Sequence, residues 1–323
     1  MKTKVVFIVN PISGTKSKEG LKSIIGQSLD SKTVDWQVIP TAYAGHASII
    51  AAQCVEEHVD ICVAVGGDGT VNEVARSLVH SDTALGIVPC GSGNGLARHL
   101  CLPMDMKGAV EIIAKRKVEA FDYGIINDQP FFCTCGMGFD AVVSQKFAEA
   151  GKRGLATYLE KVLVETLKYK PDTYTIEDET GRHSYKAFLI TCANAAQYGN
   201  NAYIAPGASM QDGLMDVIIM EPFTVLEAPQ VAVDLFAKTL GNNPRIKTFQ
   251  ARRVHIHREK PGAIHYDGDP LQMGIDIDVK MEPLGLKAVV NPEAIEDQAA
   301  PNKVMNAMSA LINKFNIMKD VHI

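Results

Sequence analysis

The sequence lacks the features that mark several classes of protein. No apolar run reaches the length of a membrane-spanning helix. Its 32 Lys and Arg against 37 Asp and Glu give a formal net charge of −5, which argues against general nucleic acid binding. Its seven cysteines form no C-x-x-C pair, and their odd number favours reduced thiols over disulfides or zinc. We therefore expect a cytoplasmic protein with no transmembrane segment and no nucleic acid partner.

Several catalytic motifs are also absent. The Walker sequence G-x-x-x-x-G-K-[ST] does not occur, so a P-loop of that kind is excluded. There is no G-x-S-x-G nucleophile elbow and no H-E-x-x-H zinc helix. The stretch CGMGFDA at 135–141 fits a dinucleotide pattern, but it lies in a β-rich half without the β-α-β unit that such a site needs.

Strand-like and helix-like segments alternate in the first third of the chain. Apolar runs such as KVVFIV and ICVAV precede stretches with helical spacing, which predicts a doubly wound, mostly parallel sheet. Beyond it, strand-like segments follow one another with turn residues between them, which is typical of an antiparallel sandwich. We predict an α/β domain at 1–122, a β-sandwich domain at 123–290 and a C-terminal segment at 291–323.

The C-terminal segment contains an amphipathic stretch, KVMNAMSALINKF. Its apolar stripe consists of Val304, Met308, Leu311, Ile312 and Phe315. Such a stripe more often packs on a neighbouring domain than it anchors a protein to a membrane. We expect this helix to return to the first domain, with the membrane anchor as the alternative.

Three glycine-rich turns each follow an apolar strand of the predicted α/β domain. They are NPISG (10–14), GGDGTVN (66–72) and PCGSGNG (89–95). Strand ends of a parallel sheet share one edge, where glycine exposes backbone N–H groups and helix N-termini attract anions. Six side chains in these turns can donate hydrogen bonds: Asn10, Ser13, Thr70, Asn72, Ser92 and Asn94. Three such turns at one edge predict a nucleoside triphosphate site.

Asp68 is the unexpected member of the second turn. A carboxylate repels phosphate unless a cation lies between them, so one interpretation is that Mg²⁺ bridges Asp68 and the phosphates. The other is that Asp68 caps the helix that follows it. The spacing alone favours neither.

Seven motifs together resemble one known family. In chain order they are NPISG, TAYAGHA, GGDGTVNEV, GIVPCGSGNGLAR, GFDA, DGLMDV and YDGD. Over nearly its whole length, the chain resembles the diacylglycerol kinase catalytic-domain family, which includes sphingosine and ceramide kinases. GGDGT also occurs in NAD kinases, and the continuation G-x-x-P-x-G-S-G-N indicates the lipid-kinase branch.

The resemblance implies ATP-dependent phosphorylation of a lipid hydroxyl, in a cleft between the α/β domain and the sandwich. The lipid would be met at the membrane surface, so the protein would be transiently peripheral there. Matching nucleotide-binding positions are Asn10, Thr41, Gly66, Gly67, Asp68, Gly69, Thr70, Val71, Asn72 and Ser92. A Mg²⁺ site is implied at SMQDGL, with a carboxylate from Asp212 and backbone carbonyls from Ser209 and Leu214, linked to Asp68 through water.

The identity of the general base stays open at this point. Bacterial relatives carry a glutamate in a DGE motif, whereas this chain has Asp267-Gly268-Asp269. Asp269 is one methylene shorter, which reduces its reach by about 1.3 Å. Asp68 is the competing base, and Asp267 is a third candidate that would more readily orient the metal network. An ordinary Asp-Gly turn is the alternative to a catalytic motif.

The resemblance leaves the substrate open. Asp140 of GFDA matches a carboxylate that faces the substrate amine in sphingosine kinases, but diacylglycerol kinases carry the motif as well. Diacylglycerol, a sphingoid base and ceramide are all candidates, and the helical stretch 154–169 would either line an acyl pocket or pack in the core. An NAD kinase-like enzyme and a non-catalytic lipid- or nucleotide-binding protein are the alternative functions. A homodimer through a sandwich edge strand is also open.

Overall fold

The computed structural model describes residues 2–14, 17–150, 169–224 and 226–293. The predicted helix at 154–169, except for its last residue, and the predicted C-terminal helix lie outside the described residues. The strands are β1 Thr3–Val9, β2 Val34–Pro40, β3 Ile61–Gly66, β4 Ala84–Pro89, β5 Val118–Ile126, β6 Gln129–Phe131, β7 Thr134–Gly138, β8 Asp172–Asp178, β9 Gly181–Ala187, β10 Leu189–Ala193, β11 Met215–Met220, β12 Ile246–Ala251, β13 Arg253–Arg258, β14 Gly262–Tyr266, β15 Asp269–Met273 and β16 Asp276–Val289. The helices are α1 Leu21–Ser28, α2 His46–Glu56, α3 Asp68–Leu78, α4 Gly95–His99, α5 Met106–Lys115, α6 Phe139–Ala150 and α7 Ala228–Ala237.

The first four strands form a parallel sheet in the order β2-β1-β3-β4. Every residue of β3 and β4 is buried, as expected for central strands between two helical layers. The strand order reverses between β1 and β3, and ligands bind at such a switch point, beyond the carboxyl ends of the strands. The doubly wound α/β fold predicted from the sequence is therefore confirmed.

Antiparallel strands form the second half of the fold. One sheet of six strands has the order β12-β11-β10-β7-β14-β15. Strands β13, β8 and β9 form an antiparallel extension of the other sheet, beyond β16. Apolar side chains from both sheets, including Met137, Ile176, Ile190, Val217 and Ile256, fill the space between them. The predicted β-sandwich is also confirmed.

The long strand β16 belongs to both halves. Its first residues pair with β13, Ala288 pairs with Leu85 of β4, and β5 runs antiparallel along it. The register with β5 shifts between Glu282 and Leu286, and the buried carboxylate of Asp122 accepts the N–H of Leu284 in this bulge at 2.7 Å. Strand β5 crosses the predicted boundary between residues 122 and 123, and that division of the chain remains a prediction.

The sequence pattern misses two local features of the fold. The stretch YKAFLITCAN reads as one strand, but β9 and β10 belong to different sheets, and the chain crosses between them at Phe188. Helix α6, which starts at Phe139 of the GFDA motif, was not anticipated, because it follows β7 without an intervening polar turn. Within the described ranges, none of the helices is long and apolar enough to cross a membrane.

Candidate functional site

The three glycine turns meet at the carboxyl edge of the parallel strands. A Cβ placed on Gly14 would lie 2.1 Å from the carbonyl oxygen of Cys90, and one on Gly91 would lie 2.7 Å from the Cα of Gly67. No side chain fits at such distances, so these turns contact each other through their backbones. The predicted meeting of the three turns at one edge is thus present in the structure.

Polar side chains hold the turns together. The Asn10 amide donates to the Thr70 hydroxyl at 3.3 Å, and the Asn94 amide both accepts from and donates to the backbone of Gly91. The predicted nucleotide-binding residues with buried side chains or backbone are Thr41, Gly66, Thr70, Val71 and Asn72. Gly69 and Ser92 are exposed, while Asn10, Gly67 and Asp68 are partly buried. A ligand would therefore meet mainly the backbone and the short side chains of these turns.

Asp68 does not cap its own helix, so that interpretation was wrong. Gly67 is the N-cap residue of α3 and no side chain caps it. The Asp68 carboxylate instead accepts the N–H groups of Asn94 at 2.9 Å and Gly95 at 2.7 Å, at the start of the short helix α4. Burial raises the pKa of Asp68, and these two hydrogen bonds partly offset that rise. Asp68 thus joins the second glycine turn to the third.

The DGD motif forms the tip of the β14–β15 hairpin. Asp267 and Gly268 both have positive φ angles, 48° and 88°, as a two-residue type I′ turn requires. The Asp267 carboxylate accepts four hydrogen bonds, from the Asn72 amide at 2.9 Å and from three backbone N–H groups: Phe132 at 2.9 Å, Cys133 at 2.7 Å and Thr134 at 3.1 Å. Asp267 therefore fixes the hairpin against α3 and the chain before β7.

Asp269 differs from Asp68 and Asp267 because it is exposed, whereas those two are partly buried. Its Oδ2 lies 4.0 Å from the position a Cβ would take on Gly69, which places the carboxylate over the first turn of α3. Loss of surrounding water raises the pKa of Asp269, and the negative charges of Asp267 and Glu73 raise it further. No hydrogen bond to this carboxylate is found in the part of the chain that the structure describes.

Arg258 holds the open end of the same hairpin. Its buried guanidinium donates to the carbonyl oxygens of Gly262 and Ala263 at the start of β14, and of Met273 and Gly274 at the end of β15. This role of Arg258 could not be predicted from the sequence, because an arginine within an alternating strand is usually a surface residue. The hairpin is thus fixed at both ends, with Asp269 between them.

Asp140 lies in a buried polar cluster at the start of α6. Its Oδ2 accepts from the Thr191 hydroxyl at 2.8 Å, from His265 Nε2 at 3.1 Å and from the Tyr198 hydroxyl at 3.4 Å. Its Oδ1 accepts the N–H of Ala141 at 2.8 Å, and only 7% of the residue is exposed. The structure therefore places this predicted substrate residue beside the DGD hairpin, but not on an open surface.

The predicted metal loop at 209–214 is held by Asp122. The Asp122 carboxylate accepts the N–H of Gly213 at 2.7 Å, and the exposed Asp212 accepts the N–H of Leu214 at 3.0 Å. Among the described residues there is no group of three or more His, Cys, Asp or Glu side chains that could hold a metal. Magnesium commonly uses one or two carboxylates with phosphate and water, so the single carboxylates of Asp68 and Asp212 fit this ion.

The loop after β10 connects the sandwich to the third glycine turn. Asn200 donates its N–H to the carbonyl oxygen of Gly93 at 3.0 Å, and Arg98 donates to the same oxygen and to the Asn201 side chain. Nearby, the Nδ1 atom of His99 accepts the N–H of Ala196 at 3.1 Å. The two halves of the fold therefore contact each other directly at the site.

The His99 contact predicts a dependence of stability on pH. Burial lowers the pKa of His99 to about 4, below its usual 6.5, because only the neutral ring is tolerated. The contribution of the neutral His99 ring to the free energy of unfolding is complete above pH 6.5. It is lost as the pH falls towards 4, and the loss is roughly 3 kcal/mol at most. We expect urea unfolding between pH 7 and 5 to show a shallower loss of stability for His99→Asn, which keeps an acceptor but does not titrate. Equal slopes for the two proteins would contradict this.

Comparison with known proteins agrees with this arrangement. The family model for the diacylglycerol kinase catalytic domain matches residues 4–126, and that for the YegS C-terminal NAD kinase beta sandwich-like domain matches residues 133–291. The chain belongs to the diacylglycerol kinase catalytic-domain family. This membership makes it a kinase.

Curated relatives agree with this family, and solved structures agree with the fold. The chain is 28% identical to a diacylglycerol kinase of Mycobacterium tuberculosis over 277 residues, covering 82% of this chain and 88% of the relative. It is 27% identical to a diacylglycerol kinase of Bacillus subtilis over 271 residues, covering 81% and 88%. A crystal structure of a diacylglycerol kinase from Bacillus anthracis matches its fold with a TM-score of 0.72 at 20% identity, covering 91% of this chain and 98% of that one. An ATP-bound NAD kinase from Archaeoglobus fulgidus matches with a TM-score of 0.53 at 14% identity, covering 95% and 99%.

Proposed function

We propose that the chain transfers the γ-phosphoryl group of ATP to a hydroxyl group of a lipid at the membrane surface. The observation that carries the proposal is the exposed Asp269 carboxylate above Gly69, directly beside the meeting point of the three glycine turns. The names of the relatives support a lipid, and diacylglycerol in particular, as the acceptor. The glycine turns would hold the triphosphate through backbone N–H groups and the N-terminus of α3.

Asp269 is the proposed general base. Its raised pKa makes it a stronger proton acceptor than an ordinary aspartate. Asp267 is less suited, because four hydrogen bonds occupy its oxygens, and each oxygen of Asp68 already accepts one backbone N–H. Asp269 would take the hydroxyl proton while the lipid oxygen bonds to the γ-phosphorus and the bond from that phosphorus to the leaving ADP oxygen breaks.

Asp68 is the proposed ligand for a magnesium ion that accompanies the nucleotide. Each oxygen of its carboxylate accepts one N–H group at the start of α4, and the residue is partly exposed, beside the backbone that would bind phosphate. When bound, Mg²⁺ neutralises phosphate charge. Ser209, Asp212 and Leu214 are the proposed ligands of a second, structural ion, with Asp122 fixing their loop.

A direct transfer assay tests this function. Purified full-length chain would be incubated with γ-labelled ATP, magnesium and mixed micelles that contain diacylglycerol, sphingosine or ceramide, with NAD as a separate acceptor. We expect label in at least one lipid and none in NAD. Label in NAD alone would favour the NAD kinase alternative. ATP binding without transfer to any acceptor would favour a non-catalytic protein.

The surroundings of Asp269 predict a shift in the pH profile. Glu73 contributes negative charge that raises the pKa of Asp269, so Glu73→Gln should lower that pKa. The base then stays deprotonated at lower pH, and the acidic limb of the kcat profile should move to lower pH. Glu111→Gln, on the exposed face of α5, is the matched control. If both variants share the wild-type limb, Asp269 is not the group that titrates.

A further inference from the structure

Tyr43 and His46 form an exposed aromatic stack just beyond the carboxyl end of β2. Their ring centroids are 4.6 Å apart, and the ring planes differ by 12°. The Nδ1 atom of His46 accepts the N–H of Ala42 at 3.0 Å, which fixes the imidazole beside the tyrosine ring. Tyr43 is nevertheless 60% exposed, so the face of its ring that lies away from His46 is open to solvent. A second planar ring can stack on such a face.

The loop that carries Tyr43 is joined to the first glycine turn and to α3. Thr41 donates its N–H to the carbonyl oxygen of Val9 at 2.8 Å, directly before the first glycine turn. Gly45 donates its N–H to Oε1 of Glu73, on α3, at 3.0 Å. The stack therefore lies at the same edge of the sheet as the three glycine turns, on the side of the sheet that α3 covers.

The spacing of the strands sets the distance between the stack and the proposed phosphate site. In the order β2-β1-β3, the ends of β2 and β3 are two strand spacings apart, which is about 10 Å. The phosphates and ribose of an extended nucleoside triphosphate span a separation of this size. A nucleotide with its γ-phosphate near Gly69 can therefore bring its base to the loop after β2.

A membrane surface is the other environment in which an exposed tyrosine is common. Anionic lipid surfaces attract segments that are rich in lysine and arginine. The stretch 41–57 contains neither of these residues, and it includes Glu56 and Glu57. The charge of this stretch therefore favours a planar ring of the nucleotide over a lipid surface as the partner of Tyr43.

We propose that Tyr43 stacks on the base of the nucleoside triphosphate and that His46 holds the tyrosine ring in the orientation that this requires. The inference rests on the proposed kinase function and adds a base-binding residue to its nucleotide site. Every base has a π-face, so stacking alone distinguishes adenine from guanine only weakly. Purines gain more from it than pyrimidines, because their ring area is larger.

Calorimetric titration of the purified full-length chain tests this contact without the lipid. The ligands are ADP, GDP, CDP and inorganic tripolyphosphate, each with magnesium. We expect Tyr43→Ala to weaken the binding of ADP and GDP about tenfold, that of CDP less, and that of tripolyphosphate not at all. Tyr43→Phe keeps the ring and should keep the affinity for ADP. Ile49→Ala, on the exposed face of α2, is the matched control and should bind all four ligands like the wild type.

A double-variant comparison tests the part played by His46. His46→Ala should weaken the binding of ADP about threefold, because the tyrosine ring is then less ordered, and should have no effect in the Tyr43→Ala background. Independent losses that multiply in the double variant would overturn the positioning role.

The other outcomes separate this inference from the proposed function. Equal affinities of Tyr43→Ala and the wild type for ADP would overturn the inference, and so would an equal loss for tripolyphosphate. Weaker binding of Tyr43→Ala to anionic vesicles, with unchanged affinity for ADP, would assign Tyr43 to the membrane instead. Loss of ADP affinity in Tyr43→Ala, in a chain that labels no lipid, would support the stack and remove only the proposed transfer. A wild-type chain that binds no ADP would overturn both.

Discussion

Asp269→Asn is expected to lower kcat by about 100- to 10,000-fold, because asparagine cannot accept the hydroxyl proton. The exposed side chain has no hydrogen bond among the described residues, so the melting temperature should stay within error of the wild type. The KM for ATP should also change little, since the backbone of the glycine turns would still bind the triphosphate. Initial rates with labelled ATP and calorimetry on the same sample give both quantities.

Two further variants serve as controls for Asp269→Asn. Asp269→Glu keeps a carboxylate, lengthens its reach by one methylene and should keep activity within about tenfold of the wild type. Asp35→Asn, on the exposed edge strand β2, controls for the change of charge and should be silent. If Asp269→Asn keeps near-normal kcat, the base is another group, and Asp68 is the next candidate.

Asp267→Ala should cause the largest loss of stability, about 2–4 kcal/mol of unfolding free energy. Four donors would lose their acceptor, three of them backbone N–H groups of residues 132–134. Burial raises the pKa of Asp267, which means that burying its charge is unfavourable, and the substitution removes this cost. The loss of stability therefore comes from the unpaired donors. Urea denaturation followed by circular dichroism measures the change.

The matched comparison for Asp267 is Asn72→Ala, which removes one of the four donors and leaves the acceptor in place. It should cost about 1 kcal/mol. Activity should fall in Asp267→Ala because the hairpin that carries Asp269 loses its anchor at the turn. A loss of stability in Asp267→Ala no greater than that in Asn72→Ala would show that the backbone donors find other partners.

Local patterns were enough to predict the edge of the sheet where the three glycine turns meet. Each glycine turn lies between an apolar strand and a helix, and parallel strands bring such turns together without further information. The turn at the DGD motif could also be predicted, because Asp-Gly between two stretches of alternating apolar and polar residues favours a type I′ turn. In both cases the decisive residues are neighbours in sequence.

The partners of the acidic residues could not be predicted in this way. Asp68 binds backbone groups 26 and 27 positions away, and Asp267 binds Asn72 across 195 positions. Arg258 and Asp122 have no local signature either, since their hydrogen bonds depend on hairpin ends and a bulge that form only in the folded sheet. Periodicity predicts the exposure of a side chain but not what it contacts.

The crossing at Phe188 shows the same limit in the fold. An unbroken apolar run from Ala187 to Ile190 passes through it, and all four residues are buried although most of β9 before them is exposed. Neither glycine nor proline marks the place. The sequence therefore predicts the strand content here correctly and the sheet membership incorrectly.

The position of β16 in the sheet also affects how the protein folds during its synthesis in the cell. Strand β4 leaves the ribosome early, yet β16, which covers the edge of β4 that faces away from β3, is synthesised about 200 residues later. At ordinary rates of translation, an apolar strand edge stays uncovered for about 10 to 40 s. Nascent chains of this protein are therefore expected to need a chaperone during synthesis, and a stalled or truncated chain that ends before β16 should aggregate through that edge.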